Sequence, residues 1–479
     1  PGGVGVTAIA RPASSALARL LPSGEKPRAT AVFWVGAACA YLVLLAGAMA
    51  TVSYDIWAAL VIVPIITVLT VPVLRRAARL DPDPSIGTVL IWGYVCKIIG
   101  TFIRYAVTFE VYTGRADATG YHGAGVRLSH AFFEGSRAFS QQAEIDLPKL
   151  TGTPFVRIVT MVIYIISGPT QLGGFIIFSW LSFWGMFWFY RACVIAFPEA
   201  NHRRYAILLF FLPTMLYWPS SIGKEAWMIF SMGLATYGVA CILKHKPLGY
   251  LACTLGLAAT AMVRPHITVL IFASLFVAYL LRRRSWRQSK MGPVGKFLGV
   301  AVLLVAGGVV VSQAASFFNL DDVDAGGVDQ VLARTERQSG QGGSEFEGAR
   351  PTKPSQFPQA MLAVLFRPYL WEANNAQALI AALEGTVLLI LFGASISRFV
   401  RLPAYLFRVP YVAYCLAYVV MFVFAFSSIG NFGIMTRQRT QVFPFVLVLL
   451  AIPATEVFDR LSGKPTLETR MEELAARQR

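Results

Sequence analysis

Long apolar runs separated by short polar connections recur from one end of the 479-residue chain to the other. Runs such as "AVFWVGAACAYLVLLAGAMA" at 31–50 lack the strict alternation of a half-buried strand and approach the roughly 20 residues a helix needs to cross a bilayer. The pattern predicts an all-α, polytopic membrane protein with about twelve spans, at 31–52, 56–74, 86–109, 172–190, 205–218, 226–243, 247–263, 266–282, 296–314, 379–396, 409–428 and 441–457. The apolar segment 155–168 has only 14 residues and is expected to be an interfacial or re-entrant helix. In "VRLSHAFFEGSRAFS", Leu128, Ala131 and Phe132 share one helical face, as expected of a helix lying in a membrane surface.

Between the spans, Lys and Arg cluster in "RRAAR" (75–79), 191–204, "LKHK" (243–246), 282–290 and 397–408. Short cytoplasmic loops carry such excess, so these loops are placed inside together with both termini. The domain plan is then a cytoplasmic tail at 1–30, a transmembrane domain at 31–457 and a cytoplasmic amphipathic tail at 458–479, in which Thr469 and Glu472 have capping-box spacing. The first 30 residues read as a tail rather than a signal peptide, because the apolar run that follows is too long for one. Two large outer segments interrupt the membrane domain, at 110–171 and 315–378.

Composition agrees, with 56% hydrophobic and 14% charged residues. The net charge of +17, from 42 basic against 25 acidic residues, sits mostly in short loops, which fits contact with anionic lipid and excludes a compact nucleic-acid-binding module. The six cysteines lie in or beside apolar segments without CxxC spacing and read as small hydrophobes. No repeat of 20 to 50 residues is visible.

With this threading five polar clusters fall on the face opposite the basic loops: "RADATGYHGAG", "YWPSSIGKEAW", "MVRPHI", "FRPYLWEANNAQ" and "IGNFGIMTRQRTQ". Lys224, Arg264, Arg437 and Arg439 stand there in short connections where cations are normally scarce, and a lipid-borne phosphate at headgroup depth would account for them. Each also has a plainer reading: an arginine at a helix end commonly snorkels, and Glu225 adjoins Lys224 as a local counter-charge. His266 follows Pro265 at a helix boundary, where a structural histidine is the plain alternative. Asp117, near Tyr121 and His122 and followed by Gly120 and Gly123, is a candidate general base for a hydroxyl nucleophile, or else an Asx-turn residue.

Trp371, Glu372, Asn374 and Asn375 combine a stacking face with hydrogen-bonding tips suited to sugars, and Arg367 adds a further phosphate contact; an interfacial aromatic anchor is the alternative for Trp371. No metal site is assigned. Asp321, Asp322 and Asp324 are the one place for a divalent cation, but Gly326 and Ala333 occupy EF-hand ligand positions and break that pattern.

An acidic residue in the first large outer loop, followed by membrane-surface helices and many spans, resembles the GT-C class of integral membrane glycosyltransferases over roughly 86–280. The resemblance implies a polyprenyl-phosphate-linked sugar donor, a glycan or lipid acceptor, Asp117 as catalytic base or donor-phosphate neighbour, and Lys224, Arg264, Arg437 and Arg439 at the lipid phosphate. It implies a bacterial plasma-membrane enzyme of cell-envelope polysaccharide assembly with its active site facing the extracytoplasmic side. Two departures stand: three apolar segments precede the acidic loop, where one is usual, and the loop has no paired-acid motif, which leaves metal dependence open. "WPSSIGKEA", "LFRPYLWEANN" and "TRQRTQVFPF" are also similar to O-antigen-polymerase-like proteins, which use lipid-diphosphate-linked oligosaccharides. A lipid or solute transporter is the alternative from another class; it calls for ionisable residues deep in broken helices, and few are visible.

Overall fold

The computed structural model describes residues 26–81, 83–281, 307–308, 312, 346, 348–351 and 353–453. Helix dominates, and no strand is formed among the described residues. The described residues up to Val61 pack as one unit and those from Ile62 onward as a second. The first unit contains α1 (Lys26–Thr51) and the start of α2 (Tyr54–Arg79).

The second unit continues with α3 (Ile86–Ala106), extended by a π-helical turn at Val107–Val111, and three helices of the first large loop, α4 (Asp117–Glu134), α5 (Ser136–Asp146) and α6 (Thr153–Ser167). Then follow α7 (Gln171–Ala196), α8 (His202–Phe211), α9 (Pro213–Tyr217), α10 (Lys224–Leu243), α11 (Leu248–Ala261) and α12 (Pro265–Leu281). Beyond the undescribed stretch come α13 (Phe357–Phe366), α14 (Ala376–Gly393), α15 (Ile396–Phe399), α16 (Leu402–Arg408), α17 (Pro410–Phe426), α18 (Phe432–Gln438) and α19 (Phe443–Leu450).

Five of these helices are long and apolar enough to cross a membrane: α2, α3 with its π turn, α7, α10 and α14. Counting α16 and α17, bent by 116° at one break, as a single span makes six. Apart from the 26-residue α1, the other described apolar segments form shorter helices, and in some of them the local cause is visible. The expected span 205–218 is interrupted at Leu212, because Pro213 has no N–H to donate and clashes with the preceding turn. The described part of segment 441–457, up to 453, contains the eight-residue, fully buried α19, and 155–168 becomes the 15-residue α6, stopped by Gly168 at φ 78°. The expected span 296–314, Asp321, Asp322, Asp324 and the 458–479 tail lie outside the described residues, apart from 307–308 and 312.

Small residues set the closest contacts. A Cβ on Gly185 of α7 would strike the Ile229 carbonyl, and one on Gly233 of α10 would strike the Gly185 backbone, so these two helices meet backbone to backbone. Gly238 and Gly256 do the same between α10 and α11. This leaves α10 buried between two neighbours, with its first turn fixed at one end of the bundle.

Two ends can be told apart. At one, Asp81 accepts a hydrogen bond from Tyr190 and lies 3.9 Å from His202 Nδ1, Arg408 pairs with Glu199 at 2.8 Å, and Arg204 donates to Ser395 at 2.8 Å. These groups lie in or within a few residues of the basic loops at 75–79, 191–204 and 397–408. At the other end lie the starts of α4, α10 and α12 and the end of α18.

In α4 the face carrying Leu128 and Ala131 is not a membrane surface. Both are buried, and one turn earlier a Cβ on Gly125 would meet Thr160 and Tyr164 of α6. Helices joined by short loops cover their apolar stripes against each other first, so α6 takes the face expected to meet lipid. Phe132 and Phe133 at the end of α4 remain exposed instead.

Candidate functional site

Glu225, the second residue of α10, is the centre of an ionic cluster drawn from four distant stretches of chain. Its carboxylate is 4% exposed and accepts a fork from Arg437, Nε at 2.7 Å and Nη2 at 2.8 Å. Arg264 Nη2 donates to the same carboxylate at 3.0 Å. Arg437 Nη2 also reaches Asp117 Oδ2 at 2.8 Å, so one guanidinium bridges the two acids. Behind it, Gln438 Oε1 accepts from Arg264 at 2.6 Å and from Gln441 at 2.6 Å.

Local sequence explains the placement. Asn431 caps α18 by accepting from the Ile434 N–H at 3.1 Å, which presents Arg437 and Gln438 on its last turn. Asp117 opens α4 and Glu225 sits in the first turn of α10, where carboxylates offset the helix dipole. The Pro265 break sets Arg264 just ahead of α12, outside its hydrogen-bonded turns.

The electrostatics follow from burial and proximity. The Glu225 and Asp117 charges hold Arg437 above the ordinary guanidinium range, against an opposing effect of burial. Burial lowers Arg264, with Glu225 opposing. Tyr121, buried one turn after Asp117, is pushed up to about 12 by desolvation and then by the two nearby carboxylates, so its hydroxyl stays protonated.

Asp117, Glu225 and Arg437 line a cavity of about 260 Å³ together with Arg104, Arg115 and Gln377. Arg104 comes from the last turn of α3 and donates to the Tyr217 hydroxyl at 2.6 Å, with its guanidinium 4.6 Å from the Tyr217 ring centre and 5.0 Å from that of Trp218. Its buried Nε has no hydrogen-bond partner among the described residues. Tyr112 closes the rim by donating to Gln377 at 2.7 Å. Three guanidinium groups against two carboxylates give the cavity an excess of positive charge, suited to an anion.

The expected site residues divide into two groups. Asp117, Glu225 and Arg437 line the cavity, Arg264 and Tyr121 support it from behind, and Lys224 opens α10 beside Glu225. The others are engaged elsewhere. His122 bonds Tyr164 through Nδ1 at 2.7 Å, and His266 packs 6.2 Å from the Phe426 ring. Arg367 is held by Glu372 and lies 4.4 Å from the Phe346 ring centre, and Glu372 also takes the Tyr369 N–H at 2.8 Å. Trp371 is 82% exposed and stacks on Tyr369 at 5.0 Å. Arg439 is buried, donates to the Val364 carbonyl at 2.8 Å and is pulled down to about 10 by burial.

Three ionisable residues escaped the sequence reading. Arg104 is one. Lys97 and Glu384 sit mid-helix in α3 and α14, and both are buried. Lys97 Nζ donates to the Met215 carbonyl at 2.8 Å, and Glu384 Oε2 accepts the Thr214 N–H at 2.6 Å. Glu384 takes an N–H freed by the Leu212–Pro213 break, and Lys97 serves a carbonyl at the end of α9, four residues ahead of Pro219, which has no N–H to donate. A lone charge inside an apolar run was the available signal.

Among the described residues no group of three or more His, Cys, Asp or Glu side chains is arranged to hold a metal ion. The chain matches no family model, no curated protein and no solved structure.

Proposed function

We propose that this protein is a membrane glycosyltransferase that moves a sugar from a polyprenyl-phosphate carrier to a glycan or lipid acceptor at the extracytoplasmic face of a bacterial plasma membrane. The observation that carries the reading is the Arg437 bridge, which brings Asp117 and Glu225 to the wall of one cation-rich cavity. The twelve-span threading with basic loops and termini inside belongs to the same proposal, and puts the cavity on the outer side.

In this reading Arg437 occupies Asp117 Oδ2, and Oδ1, which no described residue engages, accepts the proton of the acceptor hydroxyl. The acceptor oxygen bonds to the anomeric carbon as the bond from that carbon to the phosphate oxygen breaks. The lipid phosphate departs with the electron pair, and fixed guanidinium groups stabilise the developing charge. Glu225 holds Arg264 and Arg437 in place and touches no reacting atom.

The test is transfer by the purified full-length protein, with monophosphate-linked sugar and diphosphate-linked repeat units supplied in parallel. Activity with the monophosphate donor that Asp117→Asn abolishes supports the proposal. Activity with the diphosphate units alone moves the assignment to a polysaccharide polymerase, and full activity in the Asn variant removes Asp117 as the base.

One observation favours a transporter as second reading: the α8–α9 break is flanked by Lys97 and Glu384, as in carriers with interrupted helices. Net movement of lipid or solute across liposomes, with no glycosyl product, selects that reading.

A further inference from the structure

The cavity has a neighbour of opposite character. An apolar groove of about 460 Å³ runs between the α8–α9 break and α14, walled by Phe211, Leu212 and Pro213 on one side and Ile380, Leu383 and Val387 on the other. Ile380, Leu383 and Val387 are all exposed, so the described residues leave this surface open. Glu384 also lines the groove, but its Oε2 is committed to the Thr214 N–H.

Cavity and groove share two walls. On α14, Gln377 lines the cavity, while Ile380, Glu384 and Val387 line the groove; positions 377, 380, 384 and 387 follow the i, i+3, i+7 spacing of a single helical face. Opposite them, Trp218 lines the cavity and Leu212 and Pro213 the groove, one short helix apart. A polar, cation-rich end therefore continues into an apolar trough along one helix stripe. Arg104 stands at the cation-rich end with a buried, unpartnered Nε, a donor for which the described residues supply no acceptor.

We propose that this composite surface is a lipid site: Arg104 and Arg115 hold a lipid phosphate in the cavity, and the groove along Ile380, Leu383 and Val387 takes the first part of its hydrocarbon chain. The inference rests on the lipid-phosphate donor proposed above and assigns its berth. It moves the phosphate contact away from Arg264, whose guanidinium is committed to Glu225 and Gln438. The occupant is an anion by charge complementarity and a long-chain amphiphile by the run of the groove. A free phosphate matches only the cavity.

The experiment measures binding to purified full-length protein in detergent, by native mass spectrometry and by competition. The probes are a long-chain polyisoprenyl phosphate, the corresponding neutral polyisoprenol and inorganic phosphate. Leu383→Trp and Val387→Trp fill the groove at exposed positions, where folding tolerates a larger side chain, and Leu251→Trp on α11 is a remote apolar control. Both groove variants are expected to weaken the phosphorylated lipid about tenfold or more, through the loss of a few buried methylenes, and to leave inorganic phosphate unchanged. Arg104→Gln is expected to weaken the phosphorylated lipid by a similar factor and to leave the neutral alcohol unchanged.

Lipid binding unchanged in both groove variants overturns the proposal. So does equal affinity for the phosphate and the alcohol, or an effect of Leu251→Trp as large as that of Leu383→Trp. Because binding is read without transfer, the two proposals fail separately. An Asp117→Asn variant that binds lipid and retains full transfer removes the base and keeps the berth. Groove variants with wild-type binding, beside an inactive Asn variant, do the reverse.

Discussion

Asp146 and Glu225 are both carboxylates with 4% of the side chain exposed, and each is gripped by two arginines. Asp146 takes Arg127 through Nη2 at 2.7 Å and Nε at 3.1 Å, Gln142 at 2.7 Å, and Arg157 at 3.6 Å. Every partner comes from α4, α5 or α6, so the cluster ties together three helices that are consecutive in the chain. Glu225 draws instead on residues beside α12 and at the end of α18, and through Arg437 it reaches the start of α4. In the first cluster the carboxylate is enclosed by its own partners. The second lines a cavity and leaves Asp117 61% exposed, with one oxygen uncommitted among the described residues. The same ionic chemistry serves a local fastening in one place and an open site in the other, and the difference lies in what the charges face.

The largest effect expected is from Glu225→Ala, which leaves Arg264 and Arg437 partly buried without their common counter-charge. Removing one member of such a buried group costs about 3–5 kcal/mol, and thermal unfolding in detergent should show it. Asp146→Ala should cost about 1–2 kcal/mol, since Arg127 is half exposed and can turn to water. Equal losses in the two variants would erase the distinction between the clusters.

Next comes Asp117→Asn, expected to lower transfer by about a thousandfold while leaving unfolding close to wild type. Asp146→Asn should leave transfer largely intact in the same assay. A matching loss of activity at Asp146 would mean that the loop helices, rather than the cavity, control the reaction.

A smaller change is expected for Arg437→Lys. An ammonium cannot reproduce the fork on Glu225 while also reaching Asp117, so transfer should fall about tenfold to a hundredfold with the charge retained. Wild-type rates in the Lys variant would reduce Arg437 to a point charge.

The smallest effect is a pH dependence. Burial raises Asp146, but hydrogen bonds from Arg127 and Gln142 and the charges of Arg127 and Arg157 outweigh it and hold the carboxyl below its ordinary value of 3.8. A carboxylate depressed on folding contributes stability that is complete above the unfolded value and is lost as pH falls through the folded one. Amide exchange of α5 should therefore stay slow at neutral pH and quicken only below the usual aspartate range. Loss of that protection near neutrality would show that Asp146 is not what holds α5.

Much of the site could be read from the chain because charge is costly beside apolar spans. Asp117, Glu225, Arg264 and Arg437 stood out as ions at helix ends, and the fold brings them within hydrogen-bond reach of one another. Arg439 gave the same signal from two residues beyond Arg437, yet the short turn after α18 sends it inward to Val364. Arg367 and Glu372 looked like ligand groups and satisfy each other instead, across five residues. Arg104, Lys97 and Glu384 stayed hidden because one charge barely lowers the hydropathy of a long apolar window. Their partners, at Tyr217, Met215 and Thr214, lie more than a hundred residues away in the chain.

The sequence by itself determined that this chain is helical, that several helices are long and apolar enough to cross a membrane, and where its basic loops and polar helix ends lie. Those properties follow from transfer free energies and helix periodicity, which act residue by residue. Only the tertiary structure decided which charges neutralise each other and which remain facing space. An ion pair is settled by distances of about 3 Å between groups hundreds of residues apart, and no local pattern encodes that distance.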